Sequence, residues 1–404
     1  MFRTNVNPNK YKGNEEKYLR KVLRAESWSA TGGSWNQALE LEFAAKFRSQ
    51  FAIAMNSGTA TLHASLLALG VSRGDEVITP ALTVIMDTTA ILHANAVPVY
   101  VDVEKNTFNL DVNKVESAIT PRTKAIIAVS LYGLPCDLSP LRAISQKYKI
   151  PLIEDNAQCF LSSCDGELAG TFGAVSSWSF ENTKHISCGE GGIVTTNDES
   201  LATQIRKIAG HGFKNLTAKE GRVRLRQEVF QDPNYKRHDA LGWNYRLPEF
   251  NAAIALAQLE RLDELVAMRV DTANIFLDVI SSSKYFIPQQ IPTNRNHSFY
   301  TLGVRYLGDQ KGVDWKDFRR TYVEEGGDGI YGAWSVPYLE PLMSNRRFVE
   351  HDPDIYSAVE FPKGLCPIAE EIQPQIMQFK TNYRSLNLAK KKAIILSRII
   401  KRLL

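Results

Sequence analysis

Three short stretches carry side chains able to do chemistry. In SFENTKHISCGEGG, residues 179–192, Lys184 stands between an apolar run, AVSSWSF, and a glycine-rich turn leading into a second such run, GIVTTND. In IPLIEDNAQ, residues 150–158, Glu154 and Asp155 close an apolar strand. In FAIAMNSGTA, residues 51–60, Gly58 and Thr59 open a helix directly after a strand. Each has an ordinary structural reading: a surface hairpin for the lysine, and helix caps for the other two. Each also has a chemical one. A lysine amine attacks an aldehyde. A carboxylate at a buried strand end costs several kcal/mol, in order of magnitude, unless it meets a cation or strong donor. Backbone N–H groups at a helix start, with the positive end of the dipole, form an anion site. The chain has no GxxxxGK[ST], so that site is not a nucleotide P-loop.

Taken in order at successive strand ends, the three stretches suit pyridoxal phosphate (PLP). The lysine would form a Schiff base with the aldehyde, and the carboxylate would keep the pyridine nitrogen protonated so that the ring draws electrons. The helix start would hold the phosphate. No one of the three is specific; their combination is what points to this cofactor.

The elements that must position these residues alternate. FAIAMN, EVITP, VPVYVDV, KAIIAVSL and IPLIEDN read as strands. Between them SGTATLHASLLALG, DTTAILHANA, LDVNKVESAI and LSPLRAISQKYK read as helices. This βαβ order predicts an open, mostly parallel sheet with ligands beyond the carboxyl ends of its strands. AVSSWSF and GIVTTND close the region with a return connection. The polar stretch Gly212–Asp239 reads as a long loop, and loops of that length are usually functional or mobile. FNAAIALAQLERLDELVAMR, residues 250–269, reads as one long helix leading to a second domain. The expected division is 1–263, with a loose N-terminal arm, and 264–404. The terminal AKKKAIILSRIIKRLL has Ile395, Ile399 and Leu403 at four-residue steps and reads as an amphipathic helix packed on the core, in preference to one lying on a membrane surface.

The 404 residues are 44% apolar and 23% charged, as in ordinary globular proteins, and the net charge of +4 is spread along the chain. That gives no case for nucleic acid. Cys136, Cys159, Cys164, Cys188 and Cys366 form no CxxC pair and read as reduced thiols of a cytoplasmic protein. The polar N-terminus reads as no signal peptide, and no run is long enough to span a bilayer. No metal is expected.

The strings NSGTATLHASLLALG, GDEVITP, LYGLPCDLSPL, IEDNAQ, SFENTKHISCGEGGIVTT and GWNYRLPEFNAAIALAQLERLD carry a family resemblance. The chain resembles the DegT-type (DegT/DnrJ/StrS) PLP-dependent sugar aminotransferases, from about residue 9 into the C-terminal region and most strongly over 51–262. The resemblance implies an α/β, fold-type-I transferase, aspartate-aminotransferase-like. It would have a large domain with a mixed, mostly parallel sheet between helices and a smaller C-terminal α/β domain. It implies that Lys184 holds the cofactor and shuttles the proton, that Asp155 pairs with the pyridine nitrogen, and that Gln158 contacts the ring hydroxyl. Gly58, Thr59 and Ser179 match phosphate-binding positions. Asn244 matches an asparagine that reaches the neighbouring subunit's phosphate, which implies a homodimer with active sites at the interface. Arg246 would bind an anionic part of a substrate, or else form an ion pair. Tyr331 and Trp334 would stack on a base or sugar, or else pack in the small domain. Gly191 and Gly192 would make room for the flat cofactor. His185 and Cys188 read as packing.

Two departures bear on the substrate. Val84 stands where the family commonly stacks an aromatic ring on the cofactor, a loss of about 1 kcal/mol. Ser130 precedes Leu131-Tyr132-Gly133 where many relatives have histidine. The implied activity is amino transfer from L-glutamate to a keto sugar, most simply a nucleotide-linked keto-deoxyhexose, for surface-glycan or amino-sugar synthesis. Keto-cyclitol amination and nucleotide-sugar dehydration are the enzymatic alternatives. The dehydratase branch has histidine in place of the lysine, so Lys184 argues against it. A cofactor-bound sensor without turnover is the non-enzymatic alternative.

Overall fold

A computed structural model describes residues 10–223 and 225–404. Residues 1–9 of the expected N-terminal arm and Arg224 of the long loop lie outside the described residues. The chain divides into two compact units, each built from two segments: 1–70 with 174–265, and 71–173 with 266–404.

In the first unit the strand Phe51–Met55 pairs antiparallel with Gly192–Thr196, which pairs antiparallel with Val175–Ser179. This is the expected return connection. All three strands are buried along their whole length. Ile53, Val175, Val194, Ile205 and Ile208 form the shared core. The helix Gly58–Ala68 follows the first strand and is buried from Ala60 to Leu66. The run read as one long helix is two, Glu249–Leu259 and Leu262–Ile280. Between them the ladder tightens to a bond from the Arg261 N–H to the Gln258 carbonyl. Glu260, at the break, accepts from the Asn14 amide at 2.7 Å. Periodicity alone does not register such a stop, because the apolar face continues through it. The described residues of the Gly212–Asp239 stretch include one short helix, Gln227–Phe230.

In the second unit Glu76–Pro80 runs parallel to Val97–Val101 on one side and Thr123–Val129 on the other, and the latter runs parallel to Leu152–Asp155. Ile78, Ile126, Leu141 and Leu152 pack in one core. The predicted helix over 110–119 is absent: the segment forms two 3-10 turns, Val112–Lys114 and Glu116–Ala118. The Asp111 carboxylate accepts from the Asn113 N–H at 3.1 Å, a local bond that competes with helix, and Val112 and Val115 are β-branched. Farther along, a four-stranded antiparallel sheet runs in the order Phe286–Pro288, Leu302–Tyr306, Ile376–Phe379, Tyr331–Gly332. The terminal helix Leu386–Leu403 packs Leu396, Ile399 and Ile400 into the core beside that sheet, with Ile395 and Leu403 partly buried against it. Among the described residues no helix is long and apolar enough to cross a membrane.

Candidate functional site

In the first unit the strand Phe51–Met55 delivers Asn56 and Ser57 to the start of the helix Gly58–Ala68. Ser57 caps it, its side chain accepting from the Ala60 N–H at 3.1 Å. Gly58 and Thr59 lie in the first turn, where N–H groups have no intrahelical acceptor. Gly58 faces Ser179 at the end of its strand: a β-carbon on the glycine would lie 3.0 Å from the serine's Cβ and 3.3 Å from its Oγ. Two N–H groups, a hydroxyl and the dipole's positive end suit a phosphate, and the close approach leaves no room for a side chain on residue 58.

The GWNYR segment runs along this helix start. The Asn56 N–H donates to the Tyr245 carbonyl at 2.8 Å, and the Asn56 amide reaches the Asn244 carbonyl at 3.3 Å. Asn244 is thereby fixed through its backbone while its side chain is exposed. Arg246 bridges back to Met55 and is half-buried. Its Nη1 is buried with no acceptor among the described residues, and no carboxylate of those residues pairs with it. Burial pushes its guanidinium below the usual arginine range. It lines a cleft with Gly33, Glu40, Arg206 and Arg222, in which Arg206 is tied to Glu40 at 2.8 Å.

Lys184 is half-buried in a loop whose two ends are clamped. The Phe180 N–H donates to the Gly191 carbonyl at 2.8 Å, and the Cys188 N–H to the Phe180 carbonyl at 3.1 Å. The Asn251 amide donates to the carbonyls of Cys188 and Glu190, at 2.9 and 3.1 Å. The Lys184 N–H itself donates to the Glu181 carbonyl at 3.0 Å. His185 is buried. Burial pushes the Cys188 thiol up to about 12, so it is no thiolate nucleophile. Gly192 has a different reason from the one its sequence suggests. A β-carbon there would meet the Ser57 backbone at 2.7 Å and the Trp178 carbonyl oxygen at 2.8 Å. On Gly191 it would meet Cys188 Sγ at 2.7 Å. The space these glycines leave is taken by the protein itself.

In the second unit the two carboxylates that close the strand Leu152–Asp155 part company, because successive side chains leave a strand on opposite faces. Glu154 is wholly buried and accepts the N–H groups of Gly170, Phe172 and Gly173, each at 2.7 Å. It ties down a loop and is structural. Asp155 keeps 5% exposure and accepts from the Ala157 N–H at 2.9 Å. Gln158 is buried, and its Oε1 accepts from the Tyr132 N–H at 2.9 Å, which leaves its NH2 as the end that can donate elsewhere. Ser130 is fully buried, and its N–H donates to the Asp155 carbonyl at 3.0 Å. Val84 is half-buried at the N-cap of the helix Ile85–His93. Tyr331, on the edge strand of the small sheet, is 71% exposed, and Trp334 is 51% exposed; neither ring is packed away.

Asp87 was not legible as part of this region. An acidic residue in the first turn of a helix reads as a surface partner for the dipole, yet Asp87 is fully buried beside Asp155.

The first unit thus presents an amine and a helix start suited to a phosphate; the second presents a buried carboxylate and an amide at a parallel strand's carboxyl end. The α/β fold is that of the fold-type-I, PLP-dependent transferases. The chain belongs to the DegT/DnrJ/EryC1/StrS aminotransferase family, whose model matches residues 9–324. It is a PLP-dependent aminotransferase. It is 37% identical over 270 residues to a GDP-perosamine synthase of Escherichia coli O157:H7, covering 67% of this chain and 69% of that one. It is 30% identical over 361 residues to a GDP-perosamine synthase of Vibrio cholerae, covering 88% and 92%. Among solved structures it is similar to an aminotransferase from Psychrobacter cryohalolentis, with a TM-score of 0.83, 26% identity and coverage of 96% and 97%.

Proposed function

We propose that this enzyme moves the amino group of L-glutamate to a keto sugar carried on a nucleoside diphosphate, specifically a GDP-linked keto-deoxyhexose. The observation that carries this reading is the match to GDP-perosamine synthases, which spans nearly the whole chain in one case. Lys184, the residue such an exchange requires, is present where the dehydratase branch has histidine.

When bound, PLP supplies an electron sink for the carbon next to the transferred nitrogen. The chain's own groups do the rest. Lys184 carries the cofactor and moves the proton between cofactor and substrate carbons, first for the amino acid and then for the sugar. Asp155 keeps the ring nitrogen protonated, and Gln158 donates to the ring hydroxyl. Gly58, Thr59 and Ser179 hold the phosphate, and Val84 covers the ring. Asn244 reaches the phosphate bound by a second copy of the chain, so the active form is a homodimer with its sites at the interface. Arg246, with a buried nitrogen that lacks an acceptor among the described residues, receives an anionic part of a substrate. Tyr331 and Trp334, both exposed, stack on the base or sugar. The five cysteines are free and buried, which suits a cytoplasmic setting.

An absorbance spectrum of the purified protein tests the donor half. Glutamate is expected to abolish the visible band of the lysine-bound cofactor in the wild type. Lys184→Ala should lack that band. A GDP-linked keto-deoxyhexose should then restore the band and appear as an amino sugar. A wild-type band indifferent to glutamate would remove the donor assignment. Restoration by keto-cyclitols but not by the nucleotide sugar would move the acceptor to the cyclitol branch.

A further inference from the structure

Asp87 is completely buried, although it lies in the first turn of the helix Ile85–His93. Its Oδ2 accepts from the Thr83 hydroxyl at 2.6 Å. Its Oδ1 is also buried and has no hydrogen-bond partner among the described residues. An orphaned carboxylate oxygen in such a place is costly. What the group meets is the carboxyl of Asp155, within the same unit. The Asp87 charge also bears on Tyr100, from the strand Val97–Val101, whose hydroxyl shares a 2.9 Å hydrogen bond with Thr88.

Two carboxyl groups so near and so buried do not both ionise. Burial first, and then the charge of Asp155, push Asp87 well above the usual carboxylate range. A proton on Asp87 resolves the orphan, since the group then has an O–H to donate and Asp155 is there to accept it. Asp155 would receive both the Ala157 N–H and the Asp87 O–H, and each favours its ionised form.

We propose that Asp87 is a positioning residue that stays protonated and donates a hydrogen bond to Asp155, so keeping Asp155 ionised for the cofactor's ring nitrogen. The second half rests on the reading of Asp155 given above; the first does not.

Infrared difference spectra of the cofactor-free, full-length protein test the protonation. Wild type minus Asp87→Asn is expected to show a protonated carboxyl stretch at neutral pH. Its absence would overturn the proposal. Titration of both variants with PLP, followed by absorbance, tests the positioning. In Asp87→Asn the amide can accept from Thr83 and donate to Asp155, so PLP should bind within a few-fold of wild type. Asp87→Ala loses the donor, and binding should weaken about tenfold or more, as expected for a hydrogen bond to a charged group. An asparagine variant as weak as the alanine one, with an unchanged melting temperature, would mean that an ionised Asp87 is needed and would overturn the proposal. So would an alanine variant that binds like wild type. If the wild type failed to bind PLP while the carboxyl band was present, the reading of the site would fall and the protonated pair would stand.

Discussion

His297 and Gln289 share a 2.9 Å contact, Nε2 to Oε1, that fixes the imidazole in one neutral form. Gln289 has no freedom to turn, because its NH2 donates to the Thr107 carbonyl at 2.6 Å. On the other side of the ring the Phe299 N–H donates to Nδ1 at 2.8 Å. A second proton on the ring would break that bond, and burial pushes the imidazole from 6.5 down to about 3. The folded pKa is depressed, so the neutral ring's contribution is fully present above about pH 6.5 and is lost as pH falls towards 3. The slope should be about 1.4 kcal/mol per pH unit in that window. Denaturant unfolding at pH 7 and pH 5 should show the loss in wild type and a smaller one in His297→Gln. Equal losses would count against it.

Gly58→Val should act on the cofactor more than on the fold. The new side chain would crowd Ser179 and enter the space above the helix start. Losing one or two phosphate bonds should weaken PLP binding by about tenfold to a hundredfold. Wild-type affinity in reconstituted protein would refute the assignment of the phosphate cup.

Gly192→Ala should do the reverse. Its β-carbon meets backbone atoms of Ser57 and Trp178, which cannot rotate away. A loss of about 1–3 kcal/mol of stability is expected, measurable as a lower midpoint in urea. An unshifted midpoint would show that the strand and helix start can separate without cost.

Shared sites at a dimer interface predict complementation. Lys184→Ala and Asn244→Ala should each be inactive or nearly so. If Asn244 serves the partner's phosphate, mixed dimers made by unfolding and refolding the two variants together hold one intact site. Random pairing then returns roughly a quarter of wild-type activity. No recovery would mean that Asn244 serves its own chain.

Trp334→Ala should raise KM for the nucleotide sugar by about tenfold while leaving kcat and the glutamate half-reaction nearly unchanged, as loss of a stacked base does. A change in the glutamate step instead would take Trp334 out of the sugar's subsite.

The buried strands were legible because each is a short continuous apolar run between turn residues, and such runs mean little else in a βαβ series. Lys184, Asp155 and the Gly58–Thr59 helix start are candidates for a different reason: none is specific alone, but their order at successive strand ends suits one cofactor. The 110–119 segment was misread as helix because local competition from Asp111 and the β-branched valines outweighs a weak apolar period. The long helix at 250–269 was misread because its apolar face continues through the break at Glu260, whose side chain meets Asn14 from far away in the chain.

The sequence alone determined which chemical groups stand at the ends of which strands, since strand order and residue type are local facts. Only the tertiary structure decided how those groups are used. Glu154 and Asp155 are neighbours of the same charge, yet Glu154 is spent on three backbone N–H groups of a loop while Asp155 accepts from the Ala157 N–H and lies beside Asp87. Gly192 makes way for Ser57, which lies far away in the chain. Asp87 joins Asp155 across a gap of sequence that no periodicity spans. Burial and charge depend on what folds against a residue, and in each case that neighbour comes from elsewhere in the chain.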